Sequence, residues 1–178
     1  MSKVLVCFFS AGGEDVSAGE TKSVGNTAMM AKSIMNKLKE DGHDVTSFRI
    51  QPKEPYPDSY DQKLAKATEE RAMQERPEYD GDVADFDDYD TVFIGFPIWC
   101  SDMPMIIYSF LEKHVFTGKI VVPFCTHGGS GEVDTFRTVA EKAVGSAPGQ
   151  GLAIPGDLAR QAGGDKQVSY WIDQLTIL

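Results

Sequence analysis

Three short stretches, "VLVCFF" at 4–9, "TVFIGF" at 91–96 and "IVVPFC" at 120–125, limit what this chain can fold into. Each holds at least five consecutive apolar residues, counting glycine and proline. A strand with one wet face alternates apolar and polar residues, whereas a strand covered on both faces does not. Runs of six residues are too short to cross a bilayer, and they suit a strand better than a helix. Strands buried on both faces need helices above and below them, which is the pattern of a parallel α/β sheet. The N-terminal "MSKVLVCFF" resembles a signal sequence only in its basic start. Its apolar run is short, and Gly, Glu and Asp follow in place of a cleavage box, so it is expected to be the first strand.

Helical periods fill the spaces between these runs. Met29, Met30, Ile34 and Leu38 recur at helical spacing and predict a helix over 27–41, stopped by Asp41-Gly42. The first strand is expected over 3–10, a second over 44–50, and a polar helix, lying largely on the surface, over 59–74. A third strand over 91–96 leads to a helix over 105–113. A fourth over 120–125 contains Pro123, which lacks a donor and should sit at a bulge or near the strand end. A helix over 133–143, a short strand in "GLAIPG" and a helix over 166–175 complete the order. No repeat or linker interrupts it, and 178 residues suit one domain spanning 1–178. This alternation implies a doubly wound, five-stranded parallel sheet of order 2-1-3-4-5 with helices on both faces. Ligands of such sheets bind beyond the carboxyl ends of the strands. The loops after strands one, three and four therefore carry the functional expectation.

The first of these loops, 10–27, is rich in glycine and hydroxyls and enters a helix whose first turn offers unpaired N–H groups. Ser10, Asn26 and Thr27 can donate to phosphate oxygens there. Neither a P-loop nor a G-x-G-x-x-G pattern is present. Mainly uncharged donors suit the monoester phosphate of a tightly held cofactor better than a nucleoside triphosphate with magnesium. Taken alone, the segment equally fits a surface loop before a helix cap. The second loop, "GFPIWCSDMPM", places Trp99 where it can cover a planar ring, although a lone tryptophan is as readily core. The third, "CTHGGSGE", gives a backbone that a flat ligand can approach closely. His127 either meets that ligand or is a solvent-exposed or capping histidine.

These residues resemble a flavodoxin-like family that binds FMN. Its members carry F-S-x-x-G-N-T, a G-[YF]-P-I-W-W loop and a P-F-x-T-x-G-G-S-G loop. The likeness is strongest over "YDTVFIGFPIWCSDMPMIIYSFLE" and "FTGKIVVPFCTHGGSGE" and runs over nearly the whole chain. The resemblance implies that Ser10, Gly25, Asn26 and Thr27 hold the phosphate. It implies that Pro97, Ile98, Trp99 and Cys100 flank the isoalloxazine, and that Thr126, His127, Gly128, Gly129 and Gly131 line its polar edge. Two departures stand out. Residues 11–24 separate Ser10 from Gly25 where the compact motif has two positions, as a lid or an interface loop, so Thr21 or Ser23 competes with Ser10 for the phosphate. Cys100 stands where the family often has a second tryptophan.

Charge and cysteine count bound the rest. A net charge of −10 would repel nucleic acid and anionic membranes and suits a basic partner. Cys7, Cys100 and Cys125 form no paired spacing, which argues against a disulfide framework or a metal site and fits a reducing cytoplasm. The expected function is FMN-dependent electron transfer or oxidoreduction, with a protein redox partner or a small electron donor or acceptor. A flavin-free relative acting as a binding or scaffold module is the alternative. A receiver domain would need acidic residues at the strand ends, where Phe8-Phe9-Ser10 and Gly95-Phe96 stand. A Cys-x5-Arg phosphatase would need arginine where Gly13 stands, and an esterase would need a G-x-S-x-G elbow.

Overall fold

The computed structural model describes residues 1–11 and 24–175. Six strands form one sheet: β1 Lys3–Phe8, β2 Asp44–Arg49, β3 Thr91–Pro97, β4 Ile120–His127, β5 Ala147–Pro148 and β6 Leu152–Pro155. The order is β2-β1-β3-β4-β5, with β6 also paired to β4, and all of these ladders are parallel. Five helices follow the alternation: α1 Asn26–Glu40, α2 Tyr60–Ala72, α3 Met105–Lys113, α4 Thr135–Lys142 and α5 Ala162–Gln174.

The unbroken apolar runs have a simple cause. Consecutive residues of the central strands enter opposite cores. Leu5, Cys7, Ile94, Phe96, Val121 and Cys125 join one cluster with Ile106 and Phe110 of α3 and Val139 of α4. Val4, Val6, Phe93, Val122 and Phe124 join the other with Met30, Ile34 and Leu38 of α1 and Val168 and Trp171 of α5. Gly95 is the exception that proves the packing tight. A Cβ there would lie 2.1 Å from the Phe124 ring.

The sheet edge departs from expectation. It is built from two short strands, not one. β5 pairs at Ile120 and Val121, and β6 pairs from Phe124 to His127. Pro123 lies opposite the break between them, in register with Ile94 of β3 and with no bulge. Ile120 N bonds Asp90 O and Ile98 N bonds Thr126 O, so even-numbered residues of β4 bond toward β3. Gly149 N bonds Val121 O and Gly156 N bonds His127 O, so odd-numbered residues bond toward the edge. The donor that Pro123 lacks is thus the one the interrupted edge does not use. α5 begins four residues before the expected start, because Gly163 and Gly164 do not break it. Gly164 packs against Leu158 O so closely that a Cβ would come within 2.3 Å. Among the described residues no helix is long and apolar enough to cross a membrane.

Candidate functional site

The carboxyl ends of β3, β4 and β6 and the N-terminus of α1 converge on a cleft of about 670 Å³. Pro97, Ile98, Trp99 and Cys100 form one side. Thr126, His127, Gly128 and Gly129 form the floor beyond β4, and Asn26 marks the end at α1.

The Trp99 loop is a closed two-residue turn. Trp99 N donates to Asp102 O at 2.8 Å and Asp102 N donates back to Trp99 O at 2.9 Å. Cys100 and Ser101 between them have φ of 52° and 58°, the left-handed values of a type I′ turn, in which glycine and asparagine are preferred. Neighbours hold this costly geometry. Arg71 of α2 donates to Cys100 O at 2.5 Å and lies 3.6 Å from the Asp102 carboxylate. Tyr108 Oη donates to Asp102 at 3.0 Å. The Trp99 ring meets Phe9 at 5.2 Å and Tyr56 at 5.1 Å, both edge to face. Tyr56 donates in turn to the buried Glu70 carboxylate at 2.5 Å. Burial raises the pKa of Glu70, against the lowering effect of that bond, and pushes the Tyr56 hydroxyl well above its usual value.

Gly25, which precedes α1, is extended and provides no side-chain cap. Asn26, the first residue of α1, lines one end of the cleft. Thr27 and Ser10 are buried behind this surface. Thr27 Oγ1 lies 2.8 Å from Thr126 Oγ1 and ties α1 to β4, and Ser10 Oγ accepts from Ala28 N at 3.3 Å. Gly131, in the left-handed region at φ 70°, falls outside the cleft lining. His127 Nδ1 accepts from Gly129 N at 2.9 Å, so the neutral ring carries its proton on Nε2. That bond ties the ring to its own loop, while the residue also lines the cleft. Thr21 and Ser23, and the loop 12–23 they belong to, lie outside the described residues. Among the described residues no cluster of His, Cys, Asp and Glu could hold a metal ion.

Three parts of the site escaped the sequence. α2 supplies a wall through Tyr60, Lys63, Leu64 and Ala67. The end of β6 and the segment after it supply Pro155, Gly156 and Asp157. Arg160 then reaches back to α1, donating from Nε to Asn26 Oδ1 at 2.5 Å and from Nη2 to Val24 O. A further cation, Arg49, donates to Ser10 O at 3.1 Å, and its burial lowers its pKa to about 10, so it stays charged at neutral pH. Charged groups therefore stand beside the uncharged donors that the sequence emphasises. The signal for the second part was available: the rule about carboxyl ends of strands applies to the edge strand as well.

A flavodoxin family model matches residues 3–175. The chain belongs to the flavodoxin family. It is 28% identical to a protein from Bacteroides eggerthii provisionally assigned as a flavoprotein, over 100% of both chains, with a TM-score of 0.77. A similarly assigned protein from Bacteroides uniformis is also 28% identical, with 97% of this chain and 99% of that one covered and a TM-score of 0.75. A flavoprotein from Lactobacillus acidophilus, solved in complex with FMN, shares the fold at 21% identity, with 97% and 99% covered and a TM-score of 0.66. No curated protein matches the chain. Within this flavodoxin fold the cleft lies beyond the carboxyl ends of the parallel strands, where ligands of such sheets bind.

Proposed function

We propose that the chain binds FMN in this cleft and serves as a redox protein. The observation that carries this reading is that Trp99 and Asn26, the first residue of α1, line one cavity. A flat aromatic ring system with a phosphate tail needs those two features together, and about 670 Å³ lies within the ~300–1,000 Å³ usual for small-ligand sites. The complex of the Lactobacillus acidophilus protein with FMN supports the same choice of ligand.

FMN, when bound, supplies one- and two-electron chemistry that the side chains cannot. The chain's own residues bind and orient. Trp99 covers one face of the ring, held upright by Phe9 and Tyr56. Pro97 and Ile98 exclude water from its edge, and the backbone of 126–129 approaches its polar rim. Asn26 and the first turn of α1 take the phosphate. The electron donor or acceptor is a protein with a basic docking face, to which a net charge of −10 is complementary, or a small molecule reaching the ring past α2. Titration of the purified chain into FMN is expected to quench the flavin fluorescence at micromolar protein. Full fluorescence at saturating protein would overturn the proposal and favour a flavin-free binding module.

A further inference from the structure

We infer that Arg160 is a positioning residue that makes the site select a phosphorylated flavin, by locking the Asn26 side chain as a hydrogen-bond donor. The inference rests on the FMN reading above. A guanidinium can donate but never accept, so the Asn26 atom it contacts must be the carbonyl oxygen. The amide nitrogen then points the other way. It lies against Gly156, where a Cβ would sit only 2.4 Å from it, and Asn26 and Gly156 both line the cleft. Without the arginine the amide could turn over and present its oxygen, which repels a phosphate. That orientation matters because Asp157 also lines this end of the cleft. Its carboxylate is partly occupied, since it accepts from Leu158 N at 3.0 Å, but it remains an anion near the proposed dianion.

Local structure delivers Arg160 to this place. The turn Leu158–Arg160 is capped by Asp157, and Gly164 lets α5 pack directly on Leu158. A second bond from Arg160 to Val24 O fixes the chain entering α1. The guanidinium thus bridges the entry to α1 and its first residue, and its planar fork suits two acceptors better than a lysine would.

The test is a double-mutant cycle read by flavin fluorescence, with FMN and riboflavin titrated against wild type, Arg160→Gln, Asn26→Ala and the double variant. Arg160→Gln is expected to weaken FMN binding about tenfold, as loss of an oriented bond to a charged group does, and to leave riboflavin unchanged. In the Asn26→Ala background the same substitution is expected to change FMN affinity less than twofold, because the group it orients is gone. Equal loss of FMN and riboflavin would show a merely structural role and overturn the inference. So would a full tenfold effect that persists without Asn26, which would mean direct attraction of charge. If wild type binds FMN but Arg160→Gln keeps its preference over riboflavin, only this inference falls. If wild type binds neither flavin, the FMN reading falls with it.

Discussion

At the scale of single residues, the glycines of this chain do two different jobs. Gly42 and Gly131 supply left-handed turns, with φ of 85° and 70° and open space where a Cβ would go. Gly95 has ordinary backbone and instead makes room. It sits in the middle of the central strand β3, and the fully buried Phe124 ring fills the volume its side chain would occupy. Phe124 is itself confined by the sheet and by the α1–α5 core, so it cannot swing away without opening a gap elsewhere. Gly95→Ala is therefore expected to destabilise the fold by about 1–3 kcal/mol, the usual cost of forcing extra volume into a packed core. Urea denaturation should show a lower midpoint at unchanged slope. A variant as stable as wild type would mean that the ring is not confined as described.

At the scale of elements, the turn between β3 and α3 holds the strain of the site. Two side-chain-bearing residues, Cys100 and Ser101, adopt left-handed backbone, at about 1–3 kcal/mol each. Cys100 lines the cleft, while Ser101 faces solvent. Ser101→Gly should remove strain at the exposed position and stabilise the protein by about 1 kcal/mol after the added freedom of the unfolded chain is subtracted. A higher urea midpoint would register it, and a lower one would contradict the turn geometry. This element also marks where sequence patterns stop being informative. β1, β3 and β4 were legible because burial on two faces leaves almost no polar position in the run. The turn was legible only as an odd loop, since nothing in "WCSD" announces two left-handed residues. α2 was legible as a helix but not as a wall: Tyr60 and Leu64 are exposed, and exposure on a polar helix gives no hint that the surface borders a cavity. β5 has only two residues, too few for any period. Arg160 acts across 134 positions from a three-residue turn, and no local pattern encodes such a contact.

At the scale of the whole molecule, binding and folding share one free energy. The cleft is assembled from the ends of β3, β4 and β6, from α1 and from α2, so unfolding destroys it entirely. A ligand that needs it stabilises only the native state. FMN at a hundred times its dissociation constant should add about 2.7 kcal/mol, which for a chain of this length raises the melting temperature by roughly 5–11 °C. Riboflavin at the same concentration separates the two halves of the cleft. If the phosphate end contributes tenfold in affinity, riboflavin stands at only ten times its own dissociation constant and adds about 1.4 kcal/mol, half the shift. Equal shifts from the two flavins would mean that the ring alone is recognised and that the α1 terminus and Arg160 contribute nothing to binding. No shift from either would mean that the cleft does not hold a flavin, whatever its shape. Thermal melts with each flavin, and with inorganic phosphate as a control for nonspecific anion effects, distinguish these outcomes.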